Sequence, residues 1–172
     1  MALKIALTGP ESTAKTSLAM RLSASCKVTW IAEYSREYLH VHGNHYQASD
    51  ILKMSEEYLL ILKNLQNVEQ TVLLDTDLLT YIVWYKFKYG QPPDSLINDW
   101  KANAADFYLL CYPDLLWQSD PLRENPLDRM HLFNEFLHLL HDAKLPYGLV
   151  TGSGRKRINR ALFFIHQLTD LK

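Results

Sequence analysis

The first seventeen residues constrain the fold of this chain more than any other stretch. The apolar run Leu3 to Thr8 is followed at once by Gly9-Pro10-Glu11-Ser12-Thr13-Ala14-Lys15-Thr16-Ser17, and then by residues with the period of a helix. A loop of this length between a strand and a helix can wrap backbone N–H groups around phosphates, with the positive helix end facing them. Lys15 would reach the β- and γ-phosphates, and the Thr16 hydroxyl would hold Mg2+. The stretch predicts a P-loop that binds ATP.

One position departs from the usual G-x-x-x-x-G-K-[ST] pattern, because residue 14 is Ala. If the backbone there is already helical, Ala is tolerated. If it needs a positive φ, Ala costs about 1–2 kcal/mol. The alternative to a P-loop is an ordinary strand-to-helix turn with Ser12 or Thr13 as the N-cap.

Short apolar runs alternate along the chain with longer segments of helical period, which predicts a parallel sheet with crossover helices. Each run is apolar almost throughout, as expected when both faces of a sheet are covered. Helices are expected over 15–24, 48–69, 78–89, 129–143 and from about 159 to near the end. The five predicted strands are Leu3 to Thr8, Val28 to Ala32, Thr71 to Asp75, Phe107 to Cys111 and Tyr147 to Thr151.

The 172 residues suit one domain, 1–172, and the composition is that of a globular protein, with 48% hydrophobic residues and 22% charged residues. The formal net charge of -1 gives no general attraction to nucleic acid or to anionic membranes. No apolar run is long enough for a membrane span, and the N-terminus becomes polar too soon for a signal peptide. We therefore expect a cytoplasmic protein with reduced cysteines. An oligomer is possible but not indicated.

Acidic residues follow the second and third predicted strands, whose carboxyl ends face the ligand crevice of a parallel sheet. Glu33 could accept the proton of an attacking hydroxyl and Arg36 could neutralise phosphoryl charge, although the two could also form a surface ion pair. Asp75 occupies a Walker B position and is expected to hold Mg2+ through water. Asp77 could cap the next helix or bind sugar hydroxyls.

Residues 113–129 are rich in Asp, Pro, Ser and Asn, and they are a candidate lid over the sheet. Arg123 and Arg129 could close over a phosphate chain, although arginines near such a loop can simply be solvated. After the fifth strand, Arg155 and Arg157 place cations near a helix start, which suits a bound nucleotide or a basic solvated turn.

Several aromatic and histidine side chains are candidate ligand contacts. Trp84, Tyr81 and Tyr85 have helical spacing and favour a core role, whereas Tyr34 and Trp117 are better placed to stack on a base. His40, His42 and His45 lack the Cys or carboxylate spacing of a known zinc site, which favours a solvated loop.

Four groups of residues follow one another along the chain: Gly-Pro-Glu-Ser-Thr at 9–13, Glu33 with Arg36, Asp75-Thr-Asp77, and Pro113-Asp114 through Trp117, Asp120 and Arg123. Taken together, they resemble the ribosylnicotinamide kinase domain of NadR-type proteins. The resemblance covers nearly the whole chain. It implies a three-layer P-loop fold like that of nucleoside monophosphate kinases, with a five-stranded parallel sheet, flanking helices and a lid. The adenylyltransferase and DNA-binding modules of bifunctional relatives are expected to have no room in this length.

The resemblance also implies a reaction in which Mg-ATP phosphorylates the 5′-hydroxyl of nicotinamide riboside to give nicotinamide mononucleotide. On that basis, Glu33, Asp75 and Asp77 face the nucleoside and the metal. Arg123 and Arg129 belong to the lid. The pyridinium ring lies against Tyr34, Tyr38 or Trp117. Two alternatives remain at the level of sequence: a kinase for another nucleoside or small alcohol, and a catalytically silent module that senses ATP or a nucleoside. A nucleic-acid-dependent ATPase is disfavoured by the charge.

Overall fold

Strands and helices alternate along the chain from β1 to α7. A computed structural model describes residues 3–65 and 69–170. The elements are β1 (Lys4–Thr8), α1 (Lys15–Cys26), β2 (Thr29–Ile31), α2 (Tyr34–His42), α3 (Ala48–Asn64), β3 (Val72–Asp75), α4 (Leu78–Tyr89), α5 (Asp94–Asn103), β4 (Phe107–Cys111), α6 (Arg129–Asp142), β5 (Tyr147–Val150) and α7 (Gly154–Asp170).

The five strands form one parallel sheet in the order β2-β3-β1-β4-β5. β1 lies at its centre, with Leu7 opposite Asp75 of β3 and Thr8 opposite Leu110 of β4. The loop after β1 therefore begins at the middle of the sheet edge, beside the end of β3. The predicted five-stranded parallel sheet is confirmed.

Alternate residues of each strand enter two separate hydrophobic clusters, because successive side chains of a strand point to opposite faces. Ile5 and Leu7 pack with α1 and α7 on one face, whereas Ala6 packs on the other face among residues of α2–α6. The sheet is thus the middle layer of three, and both of its faces are covered by helices.

Four helix assignments need correction. Residues 34–42, taken partly as loop, form α2, and α5 after Pro92-Pro93 was missed. α7 begins at Gly154, about a turn earlier than expected. The helix predicted to reach residue 69 ends at Asn64, and residues 66–68 of that prediction lie outside the described part of the chain.

Within the described residues, no helix combines the length and the apolar character that a membrane span requires.

Candidate active site

The loop after β1 has the backbone of a phosphate-binding nest. Gly9 has φ +126, and a Cβ added there would lie 2.7 Å from the carbonyl oxygen of Cys111. Ser12 and Ala14 have left-handed φ values of 55° and 59°. Ala14 is also the N-cap of α1, whose N-terminus is not capped by any described side chain, so the N-capping alternative for Ser12 or Thr13 is wrong. Backbone N–H groups in such alternating conformations form an anion-binding concavity.

Lys15 stands at the start of α1 with its ammonium directed back over this loop. Its Nζ donates to the carbonyl oxygens of Gly9 and Pro10, at 2.9 Å each. Both acceptors are neutral carbonyls, so an anionic phosphate in the nest would compete for the ammonium. The geometry suits the phosphate-binding role expected for Lys15.

The left-handed backbone at Ala14 supports a stability prediction, because glycine adopts this conformation without the steric cost of a Cβ. We expect Ala14→Gly to raise the free energy of unfolding by about 1 kcal/mol. Ala24→Gly, at an exposed position in the last turn of the same helix, should lower it by about 0.5 kcal/mol. Denaturant unfolding of both variants checks the opposite signs, and a loss of stability in Ala14→Gly would contradict the assigned strain.

The end of β3 directs its two aspartates to different places. Thr76, between them, has a φ of 78°, which is unusual for a β-branched residue. Its backbone is held by a hydrogen bond from its N–H to the Leu7 carbonyl, at 3.0 Å, and by one from the Tyr58 hydroxyl to its own carbonyl, also at 3.0 Å. Strain at such a position persists only where its surroundings fix it.

Asp75 fits the expected magnesium site. It is 1% exposed, and neither carboxylate oxygen accepts a hydrogen bond from the described residues. Burial raises the pKa of Asp75 to about 6, while the Thr16 hydroxyl and Lys15 act in the opposite direction. No group of three or more His, Cys, Asp or Glu side chains suited to a metal occurs in the described residues. Mg2+ usually takes one or two protein oxygens together with phosphates.

Asp77 is placed in the core and does not line the cleft described below. The Tyr108 hydroxyl donates to its Oδ2 at 2.8 Å, and the Trp100 indole donates to that hydroxyl at 3.0 Å. Burial raises the pKa of Asp77 to about 7. The predicted contact of Asp77 with sugar hydroxyls is corrected accordingly: its carboxylate is held by an aromatic side chain of β4.

Glu33 and Arg36 lie together at the start of α2. Glu33 is only 13% exposed, its Oε1 accepts from the Ser35 hydroxyl at 2.8 Å, and its Oε2 accepts from Arg36 Nε at 3.2 Å. Arg36 also donates to Asp120 at 3.2 Å, and Arg123 lies 3.7 Å from the same carboxylate. The pKa of Asp120 is lowered by the Leu122 backbone N–H and by Arg36. The sequence-predicted pair is therefore part of a network that crosses the cleft.

The segment between β4 and α6, residues 112–128, has no regular secondary structure and is termed the β4–α6 loop. It contacts the P-loop through Ser12, whose hydroxyl accepts from the Gln118 N–H at 2.8 Å. Arg129, at the start of α6, donates to the Ser12 carbonyl at 3.2 Å and to the Leu115 carbonyl at 2.8 Å, with Trp117 beside it. Arg129 joins the loop to the P-loop and Trp117 lies against Arg129, but neither residue lines the cleft.

A cleft of about 480 Å3 runs along the edge of the sheet. One end is formed by P-loop residues 9–17, and Glu33, Arg36 and Arg123 lie along it. The other end is mainly apolar, and it is called the acceptor end after the role that we propose for it below. Its walls are Leu39, Thr80, Val83, Trp84, Leu122, Leu132 and Phe136.

The aromatic side chains of the cleft differ from those predicted. Trp84 packs against the core cluster, as predicted, and it also forms part of the acceptor end, which was not predicted. Tyr34 instead donates its hydroxyl to Glu57, and the Tyr38 hydroxyl donates to Asp50 at 2.9 Å while its ring stacks on His42. Neither tyrosine lines the cleft. Tyr81 is buried as expected.

The two arginines after β5 are also placed differently from the nucleotide contact expected. Arg157 is 3% exposed and donates to Asp114, the Gly152 carbonyl and the Tyr112 carbonyl at 2.8–2.9 Å. It joins the ends of β4 and β5, which is a structural role. Arg155 is exposed and does not line the cleft, whereas its neighbour Ser153 does.

The sheet, the nest and the position of the cleft define a P-loop nucleotide-binding fold like that of nucleoside monophosphate kinases. A family model described as an AAA domain matches residues 4–157. The chain belongs to this family. No curated protein matches the sequence significantly.

Solved structures share the fold at low sequence identity. A NadR protein in complex with NAD and AMP-PNP aligns with a TM-score of 0.77 and 19% identity, over 99% of this chain and 50% of that chain. A NadR protein in complex with NR aligns with a TM-score of 0.78 and 18% identity, over 99% of this chain and 52% of that chain. A deoxyadenosine kinase from M. mycoides, with products dCMP and a flexible dCDP bound, is a third match. It aligns with a TM-score of 0.67 and 14% identity, over 98% of this chain and 100% of that chain. The chain spans about half the length of the NadR chains.

Proposed function

We propose that this protein is a kinase that transfers the γ-phosphoryl group of Mg-ATP to a nucleoside hydroxyl, with nicotinamide riboside as the preferred acceptor. The observation that carries the proposal is the continuous cleft, which joins a phosphate nest to an apolar end and has Glu33 in its wall. Two other carboxylates line the cleft, but Glu11 accepts from the Glu124 N–H and Asp114 accepts from Arg157. The solved relatives include proteins whose bound molecules are nucleosides and nucleotides. A pure ATP sensor needs no second, apolar end.

The donor would lie with its phosphates in the nest. Lys15 would leave the Gly9 and Pro10 carbonyls and bind the β- and γ-phosphate oxygens. Thr16 and Asp75 would hold Mg2+, which when bound neutralises charge on the phosphates. Ser153 and Leu116, which line the cleft beside the P-loop, would border the nucleoside part of ATP.

Glu33 would act as the general base. It would accept the proton of the acceptor hydroxyl as that oxygen forms its bond to the γ-phosphorus and the bond from phosphorus to the β–γ bridging oxygen breaks. ADP leaves with the electrons of that bond. Arg36 and Arg123, both in the cleft wall, would stabilise the charge on the transferring group.

The acceptor end favours a small aromatic cation over a base that must be read by several hydrogen bonds. Its polar side chain is Thr80, which is 5% exposed and whose hydroxyl has no partner among the described residues. One hydroxyl can serve the carboxamide of nicotinamide, and the Trp84 ring can attract the positive charge of a pyridinium. Purine recognition at the Watson–Crick edge would need more donors and acceptors than these walls supply.

Thr80→Val tests this reading because it removes the hydroxyl and keeps the shape. We expect the KM for nicotinamide riboside to rise about tenfold, as expected for the loss of one hydrogen bond of about 1.5 kcal/mol. The folded protein should not lose stability, since a buried unpaired hydroxyl is removed. Thr8→Val, at another buried hydroxyl without a partner, is the matched control and should leave this KM unchanged. Equal KM values in wild type and Thr80→Val would contradict the assigned contact.

The proposal as a whole is tested by ADP release from Mg-ATP in a coupled assay. Nicotinamide riboside should stimulate release more than deoxyadenosine, other nucleosides or small alcohols, and Lys15→Ala should abolish the stimulation. A preference for another nucleoside would keep the kinase and change its acceptor. Absence of stimulation by every acceptor, with ATP still raising the melting temperature, would instead indicate a nucleotide sensor.

A further inference from the structure

We infer that Glu124 is a positioning residue that couples the P-loop to the wall of the acceptor end, so that donor binding prepares the acceptor site. The inference rests on the proposed function, and it concerns a residue that the reaction scheme above does not use. It follows from contacts that Glu124 makes in two directions, one through its backbone and one through its side chain.

The backbone of Glu124 is attached to the P-loop. The N–H groups of Glu124 and Asn125 both donate to Oε2 of Glu11, at 3.0 and 3.2 Å. Glu11 lies between Pro10 and Ser12, in the part of the loop that would surround the phosphates. Any change in the backbone at Glu11 is therefore passed to residues 124 and 125 of the β4–α6 loop.

The side chain of Glu124 extends to the opposite side, towards α4. Its Oε2 lies 2.6 Å from Lys88 Nζ and accepts from the Tyr46 hydroxyl at 3.1 Å. Lys88 also donates to that hydroxyl at 2.8 Å, and its Nζ lies 3.9 Å from the centroid of the Tyr46 ring. Glu124, Lys88 and Tyr46 form a closed set of contacts, which we call the clasp.

The clasp ends on the wall of the cleft. The Tyr46 ring is stacked on Trp84, with centroids 6.1 Å apart, and the Tyr89 hydroxyl donates to the Tyr46 carbonyl at 2.9 Å. Trp84 lies one helical turn before Lys88 on α4 and lines the acceptor end. A continuous path of contacts thus runs from Glu11 through Glu124 and Tyr46 to Trp84.

This path predicts that the two substrates help each other to bind. Phosphates that order the P-loop would fix Glu11 and, through Glu124, hold Tyr46 against Trp84, so the acceptor wall would be preformed. The clasp contains a partly exposed charge pair, and such pairs contribute little energy. We therefore expect the clasp to raise the affinity for the acceptor about two- to fivefold when ATP is bound. By thermodynamic linkage, the acceptor must raise ATP affinity by the same factor.

Glu124→Ala removes the side-chain contacts and leaves the backbone hydrogen bonds to Glu11. Glu135→Ala is the matched control, since Glu135 pairs with Lys86 on the same helix α4 and does not line the cleft. In protein labelled with fluorotryptophan, we expect the chain's four tryptophans to give four fluorine NMR signals. Trp84→Phe assigns the Trp84 signal. Trp117, beside the P-loop contacts, reports binding of the ATP analogue AMP-PNP.

Mg-AMP-PNP is expected to shift the Trp84 signal in wild type and Glu135→Ala, and to shift it much less in Glu124→Ala, although Trp117 responds in all three. An equal Trp84 shift in Glu124→Ala, or no shift in wild type, would overturn the inference. This readout needs no acceptor, so it is separate from the ADP assay that decides the proposed function. Calorimetry then measures the affinity for nicotinamide riboside with and without AMP-PNP. The ratio of the two affinities should be two- to fivefold smaller in Glu124→Ala than in wild type, and unchanged in Glu135→Ala.

Discussion

Glu33→Gln is expected to lower kcat by about two to four orders of magnitude, the range that a positioned general base contributes. The amide keeps the size of the carboxylate and can still contact Ser35 and Arg36, but it cannot accept the hydroxyl proton. Substrate binding should change little, so the loss should appear in kcat and not in KM. Steady-state kinetics with saturating Mg-ATP measures it.

The matched control is Glu37→Gln, at an exposed position one turn further along α2. It makes the same chemical change on the same helix and should leave kcat near the wild-type value. A normal kcat in Glu33→Gln would move the base to another group and would contradict the assigned role of the network at the start of α2.

Asp75→Asn is expected to lower kcat/KM about a hundredfold or more, because the carboxylate that supports Mg2+ is lost while the phosphates must still be neutralised. The Mg2+ concentration needed for half-maximal activity should rise as well. A residue that served only the fold would lower activity without changing this Mg2+ dependence.

The same variant should gain stability in the absence of ATP and Mg2+. Asp75 is buried with both oxygens unpaired among the described residues, and replacing such a group with a neutral amide is expected to stabilise the fold by about 1–3 kcal/mol. Thermal unfolding without ligands checks this. Reduced stability together with an unchanged Mg2+ dependence would contradict the metal role of Asp75.

The sequence was sufficient for those parts of the fold that depend on local patterns. Each strand is a short apolar run, and the run before Gly9 predicted the strand-loop-helix unit of the P-loop. The order of the strands, which puts β1 and the P-loop at the centre of the sheet edge, depends on long-range pairing and was not predicted. Helix α5 was missed because its apolar signal consists mainly of Leu96 and Trp100, after two prolines that indicate a helix end. The conformation of Ala14 was left as two alternatives, and the observed φ of 59° selects the strained one.

The functional side chains were harder to assign, because their partners are distant in sequence. Arg157 pairs with Asp114 and not with a nucleotide, and no local pattern indicates that pairing. Trp84 has helical spacing like Tyr81, and spacing alone does not separate a core face from a cleft wall. Thr80 carried a weak signal, as a hydroxyl within the apolar run Leu78–Val83. Glu11 and Glu124, which join the P-loop to the clasp, are 113 residues apart.

The central claim, phosphoryl transfer from ATP to a nucleoside hydroxyl, is tested most directly by the product itself. Nicotinamide riboside and Mg-ATP are incubated with the protein, and mass spectrometry and phosphorus NMR follow the acceptor. We expect a new phosphomonoester on the riboside, formed in equal amount to ADP and absent with Lys15→Ala. ADP without a phosphorylated acceptor, or an unmodified riboside and intact ATP, would contradict it.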